Sequence, residues 1–255
     1  MLRSANAQGT VGGPGGSVIA YETHGSGPPL LLIAGFGASR AIWQPQLADW
    51  AQHRQVITMD NRNAGKSRGP GFVPRIELMA GDALAVLDGL GIEEADICGM
   101  SMGGMIAQVI AMRHPERVRR LVLTCTAPCR PMPRPFGPGG PVGMLFSPGF
   151  AAAHPEAVQE WLKIGQAAPT SVMLRQAIAI MAYDLRREVP GLRLPVLVAH
   201  GSGDRVVPVR NGQWLAAHIP GAQLVIYEGA GHGMTIERTR DYNRDVLRFL
   251  LEEGS

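Results

Sequence analysis

The sharpest chemical signal in this chain is Gly99-Met100-Ser101-Met102-Gly103, a serine with a glycine two residues away on each side. It lies between an apolar run and an amphipathic stretch, which predicts a tight strand-to-helix turn that lifts the serine hydroxyl above a sheet. Glycines belong there because such a turn leaves little room for side chains. A hydroxyl is a poor nucleophile until a base takes its proton, and the base needs a carboxylate to orient it and to stabilise the imidazolium. Where an elbow of this kind tops a sheet, the partners follow in the order serine, acid, histidine, each on a loop after a strand. Asp204, in Gly203-Asp204-Arg205, follows the apolar run Pro195 to His200, and His232, in Gly231-His232-Gly233, follows Gln223 to Glu228. Ser101, Asp204 and His232 are therefore the candidates for acyl transfer.

The negative oxygen that develops during acyl transfer needs preorganised donors. The Met102 N–H qualifies because it follows the nucleophile. The Phe36 N–H, in Gly35-Phe36-Gly37 after the second apolar strand, is the expected partner. Met100, Met144, Phe146, Trp161 and Met181 are candidates for an adaptable apolar pocket that takes an apolar small molecule, with plain packing of an inserted layer as the competing reading. Rival residues fit less well. His24, His53, His114, His154 and His218 read as surface or capping side chains, and His200 as support for the Asp204 loop. Glu228 is too close to His232 along the chain to be the first choice of acid, and Cys98 reads as core.

These side chains need a scaffold. Pro29 to Ala34, Ala95 to Met100, Val118 to Thr126 and Pro195 to His200 are apolar without alternation, as strands buried on both faces are. Between them run stretches of helical periodicity, such as Arg75 to Leu90 and Met102 to Arg113. Strands separated by helices predict an α/β fold, a mostly parallel central sheet with helices on both faces. Prolines and glycines crowd residues 128–141 and break that alternation. Residues 127–194 are accordingly read as a helical lid inserted after the sixth strand, residues 18–126 and 195–255 as the core, and residues 1–17 as a flexible glycine-rich lead.

Composition narrows the function classes. A net charge of +3 with scattered arginines predicts no nucleic-acid site. Three cysteines make no disulfide framework. Cys125 and Cys129 lack the second Cys or His pair of a structural metal site, so no metal or other cofactor is expected. Ala64-Gly65-Lys66-Ser67 ends like a phosphate-binding loop, but Asp60 stands where its first glycine belongs. With no signal-peptide core and no stretch of ~20 apolar residues, the expectation is a cytoplasmic protein without membrane contact, with a homo-oligomer left open.

Taken together, Ala34-Gly35-Phe36-Gly37, Asp60-Asn61-Arg62-Asn63-Ala64-Gly65-Lys66-Ser67, the elbow, Gly203-Asp204-Arg205 and Gly231-His232-Gly233 resemble the α/β-hydrolase superfamily. Within it the chain is similar to small lidded members such as esterases, 3-oxoadipate enol-lactonases and cofactor-free haloperoxidases. The likeness covers about Val18 to Leu251 outside the lid. It implies a serine-nucleophile hydrolase that cleaves a carboxylic ester or lactone through an acyl-enzyme. Carbon–carbon bond hydrolysis, thioester cleavage and perhydrolysis are alternatives on the same residues, and a slow-turnover ligand sensor is an alternative of another class. The chain departs from the usual pattern twice, with Ala34-Gly35 in place of His-Gly and Arg62-Asn63-Ala64-Gly65 in place of Arg-Gly-x-Gly.

Overall fold

The computed structural model describes residues 6–131, 140–165 and 167–252. Eight strands form one sheet: β1 (Ala7–Gly13), β2 (Ser17–His24), β3 (Pro29–Ile33), β4 (Gln55–Met59), β5 (Ala95–Met100), β6 (Val118–Thr124), β7 (Val196–Gly201) and β8 (Gln223–Tyr227). Their order across the sheet is β1-β2-β4-β3-β5-β6-β7-β8. β1 with β2 and β2 with β4 are antiparallel, and every pairing from β4 to β8 is parallel.

Strand alternation divides the core between two faces. Leu31, Ile33, Ile57, Ile97, Leu121 and Val198 point to one face, against α2 (Ile76–Gly89), α3 (Met102–Arg113) and α8 (Arg210–His218). Leu30, Leu32, Val56, Cys98, Val122 and Leu197 point to the other, against α1 (Gln44–Trp50) and α10 (Thr239–Leu251). On that second face Trp50 lies between Trp43 and Tyr242, at ring-centroid distances of 6.2 and 5.7 Å. Between β6 and β7 the chain inserts α4 (Gly140–Leu145), α5 (Pro148–Ala153), α6 (Pro155–Gly165) and α7 (Thr170–Met181), and α9 (Met234–Glu237) follows β8. The base of the insertion is tied where Leu185 N–H donates to Pro128 O at 2.8 Å and Arg130 N–H to Tyr183 O at 3.1 Å.

Over its described part the glycine-rich lead is a strand followed by a turn. Ala7–Gly13 pair with β2 as an edge strand, and Pro14, Gly15 (φ 67°) and Gly16 (φ 78°) make the reversal. The glycines allow close approach: a Cβ on Gly13 would overlap the Ser17 hydroxyl. That hydroxyl donates at 2.6 Å to Asp82, whose carboxylate also receives Nε and one terminal nitrogen of Arg62, each at 2.7 Å. Burial pushes the Asp82 carboxyl up, although Arg62 and Ser17 pull it down. Removing one member of such a buried pair costs about 3–5 kcal/mol, so this cluster pins the hairpin to α2. Among the described residues no helix is long and apolar enough to cross a membrane.

Candidate active site

Ser101 sits between β5 and α3 with φ 57° and ψ −119°, a conformation that non-glycine residues rarely adopt. Its neighbours hold it there. Its N–H donates to Thr124 O at 2.8 Å, and its carbonyl receives the Thr126 hydroxyl at 2.7 Å. A Cβ on Gly99 would strike the Gly103 carbonyl, and one on Gly103 would strike the Ile33 carbonyl. The turn therefore requires the glycines that the sequence pattern singled out.

Asp204 follows β7, and 1% of its surface is exposed. One carboxylate oxygen accepts the N–H groups of Val206 and Val207 at 2.9 and 2.8 Å, and the other lies 2.7 Å from His232 Nδ1. Burial raises the Asp204 carboxyl, but the His232 charge and hydrogen bonds from His200 and His232 outweigh it and hold the group below the ordinary carboxylate range. His232 follows β8 and is 5% exposed. Its loop is clamped where Gly233 N–H donates to Leu145 O at 2.7 Å and Gly231 N–H to the Glu237 carboxylate at 2.9 Å. Ser101 and His232 line one cavity of about 440 Å³.

The loop after β3 borders the same cavity. The Cβ position of Gly35 is 3.2 Å from Ser101 Cβ, so a side chain there would crowd the serine. Asn61 donates to Ala34 O at 2.8 Å and braces the loop at the departure from the His-Gly pattern. Asn63 stands in the left-handed region at φ 62°, where asparagine substitutes for the usual glycine at modest cost. Neither the Phe36 N–H nor the Met102 N–H has a hydrogen-bond partner among the described residues.

Of the expected pocket residues, Met100, Trp161 and Met181 line the cavity, as do Phe36 and Met102. Met144 and Phe146 do not. Phe146 is 2% exposed, stacks on Phe150 and meets Trp161 edge-on, so it packs behind the wall. Met144 is one helical step from Leu145, and Leu145 takes the cavity position. A larger groove of about 910 Å³ is lined by polar residues that include Glu22, Arg40 and Asp60, and it contains none of Ser101, Asp204 or His232.

Sequence reading missed Gln176 on α7. It is 1% exposed and accepts the Gly37 N–H at 2.9 Å, joining the insertion to the loop after β3. No periodicity signals it, because a buried glutamine within a helical pattern looks like any polar position. His200 does adjoin Asp204, as its position predicted. Its Nε2 is 2.8 Å from Val207 O and 3.4 Å from Asp204. Cys125, His200 and Asp204 place ligand-type atoms within 4.8 Å of one another, the donor types of a metal site. Both Asp204 oxygens and the facing His200 nitrogen already serve hydrogen bonds, and burial holds the Cys125 thiol well above its ordinary value, against forming the thiolate that a metal needs.

Comparison with known proteins agrees with this architecture. A family model described as "alpha/beta hydrolase fold" matches residues 28–160, and one described as "TAP-like protein" matches residues 182–254. A protein of Azorhizobium caulinodans named as a carbamate hydrolase, RutD, is 30% identical over 92% of this chain and 96% of its own length. The 3-oxoadipate enol-lactonase 2 of Acinetobacter baylyi is 29% identical over 89% of this chain and 90% of its own. The enol-lactonase of Burkholderia xenovorans superposes with a TM-score of 0.87 at 28% identity, over 96% of this chain and 100% of that one. With its mostly parallel sheet, its strained serine turn and these matches, the chain belongs to the alpha/beta hydrolase family.

Proposed function

We propose that the protein hydrolyses a carboxylic ester or lactone through an acyl-enzyme on Ser101. The observation that carries this reading is the placement of His232, held 2.7 Å from the buried Asp204 while it faces the cavity that Ser101 also lines. Ser101 Oγ attacks the acyl carbon as its proton passes to His232. Asp204 keeps the Nδ1 proton in place and stabilises the imidazolium. The N–H groups of Phe36 and Met102, which have no partner among the described residues, receive the negative oxygen of the tetrahedral intermediate. Collapse of that intermediate breaks the carbon–oxygen bond, and the alkoxide leaves with the proton from His232. A water molecule, deprotonated by His232, then attacks the acyl-enzyme and releases the acid and free Ser101. In this reading residues 127–194 act as a lid, and Gln176 couples its position to the oxyanion loop.

Replacement of Ser101→Ala tests the assignment. The kcat on a p-nitrophenyl ester should fall by roughly 10⁴- to 10⁶-fold, and labelling by a fluorophosphonate should disappear. Unchanged turnover in a folded variant would reject it.

A further inference from the structure

The described wall of the Ser101 cavity holds no side chain able to balance a charge carried in by a ligand. His232 is its one titratable member, and in the proposed mechanism that group is committed to Asp204 and Ser101. The remaining wall is apolar, with Met100 and Met105 from the core and Trp161, Leu162, Met173 and Met181 from the insertion. Two arginines near the site loops are engaged elsewhere. Arg40 pairs with Glu22 and Asp60 at the separate polar groove, and Arg62 is closed around Asp82. Trp161 Nε1 is buried without a partner among the described residues. It is a neutral donor, suited to an ester or ether oxygen and unable to neutralise a carboxylate.

We propose that this cavity selects uncharged esters with an apolar chain and excludes substrates that bring a carboxylate, phosphate or ammonium group into it. The inference rests on the ester hydrolysis proposed above. An ionised group entering here loses its hydration and meets no countercharge among the described residues, which is the costliest form of burial. An apolar chain of equal length gains from the area it removes from water. The methionines, with flexible and polarisable side chains, let the wall adapt to chain shape.

Three p-nitrophenyl esters of similar chain length test the idea on the intact protein at pH 7: the hexanoate, the monoester of adipic acid, and that monoester with its free acid capped as a methyl ester. The ionised adipate should show a kcat/KM roughly 100-fold or more below the hexanoate, whereas the capped form should stay within about tenfold of it. Comparable values for the hexanoate and the ionised adipate would overturn charge exclusion. So would equal rejection of the capped form, because shape would then decide. Hydrolysis of the hexanoate that persisted in Ser101→Ala would instead overturn the acyl-enzyme reading on which the selectivity depends.

Discussion

Asp204→Asn is the most informative single substitution, because the surrounding backbone dictates how the new amide must sit. One carboxylate oxygen accepts two N–H groups, from Val206 at 2.9 Å and Val207 at 2.8 Å. Only the amide oxygen can replace it there, so the NH2 must turn toward His232. That NH2 meets His232 Nδ1 across the former 2.7 Å contact and forces the ring proton onto Nε2, the atom that accepts the Ser101 proton in the proposed mechanism. The shape of the site survives while its base is in the wrong tautomer. The kcat on p-nitrophenyl hexanoate should fall by roughly 10⁴-fold, which is about 5.5 kcal/mol at 1.36 kcal/mol per decade. Stability should respond with a definite sign. The folded carboxyl titrates below its ordinary value of 3.8, so the wild-type advantage is complete above that pH and fades as the pH falls further. Steady-state kinetics measure the first effect, and urea melts at neutral and acid pH the second. A folded variant that lost less than about tenfold in kcat would refute the assignment of Asp204 as the orienting acid.

Gln176→Met keeps the shape of the side chain but removes the acceptor for Gly37 N–H. It should lower kcat by roughly 10- to 100-fold through displacement of the loop proposed to hold the oxyanion, and an unaltered kcat in a folded variant would count against that coupling. Among the thiols, Cys98 is buried and pushed up to about 12, Cys125 is buried and held well above its ordinary value, and only Cys129 is partly exposed. A disulfide reagent should therefore modify Cys129 alone, slowly, in the native protein and all three after denaturation. Rapid reaction of two or more native thiols would contradict this burial.

The parallel core was legible because each strand announces itself locally. Leu30, Leu31 and Leu32 are apolar in succession since both faces of β3 are covered. The serine turn was equally legible, since its glycines answer to steric limits set within a few residues. What could not be read depended on distant partners. β1 owes its existence to pairing with β2 and to the Arg62–Asp82–Ser17 cluster, not to β propensity, so seven residues rich in glycine looked unstructured. Phe146 and Leu145 are adjacent in sequence, and which of them would face the cavity was fixed by Phe150, Trp161 and Gly233. Gln176 gained its role from a glycine 139 positions away.

The sulfur-rich wall has a consequence for exposure to peroxide. Methionines 100, 102, 105, 173 and 181 all face the cavity, but Met181 is 59% exposed whereas Met100, Met102 and Met105 are at most 1% exposed. Sulfoxide formation should begin at Met181 and put a strong dipole at the mouth of an otherwise apolar channel. Mild treatment should then raise KM for long-chain esters and leave kcat nearly unchanged, with peptide mass spectrometry locating the added oxygen. A methionine sulfoxide reductase would return the entrance to its original chemistry.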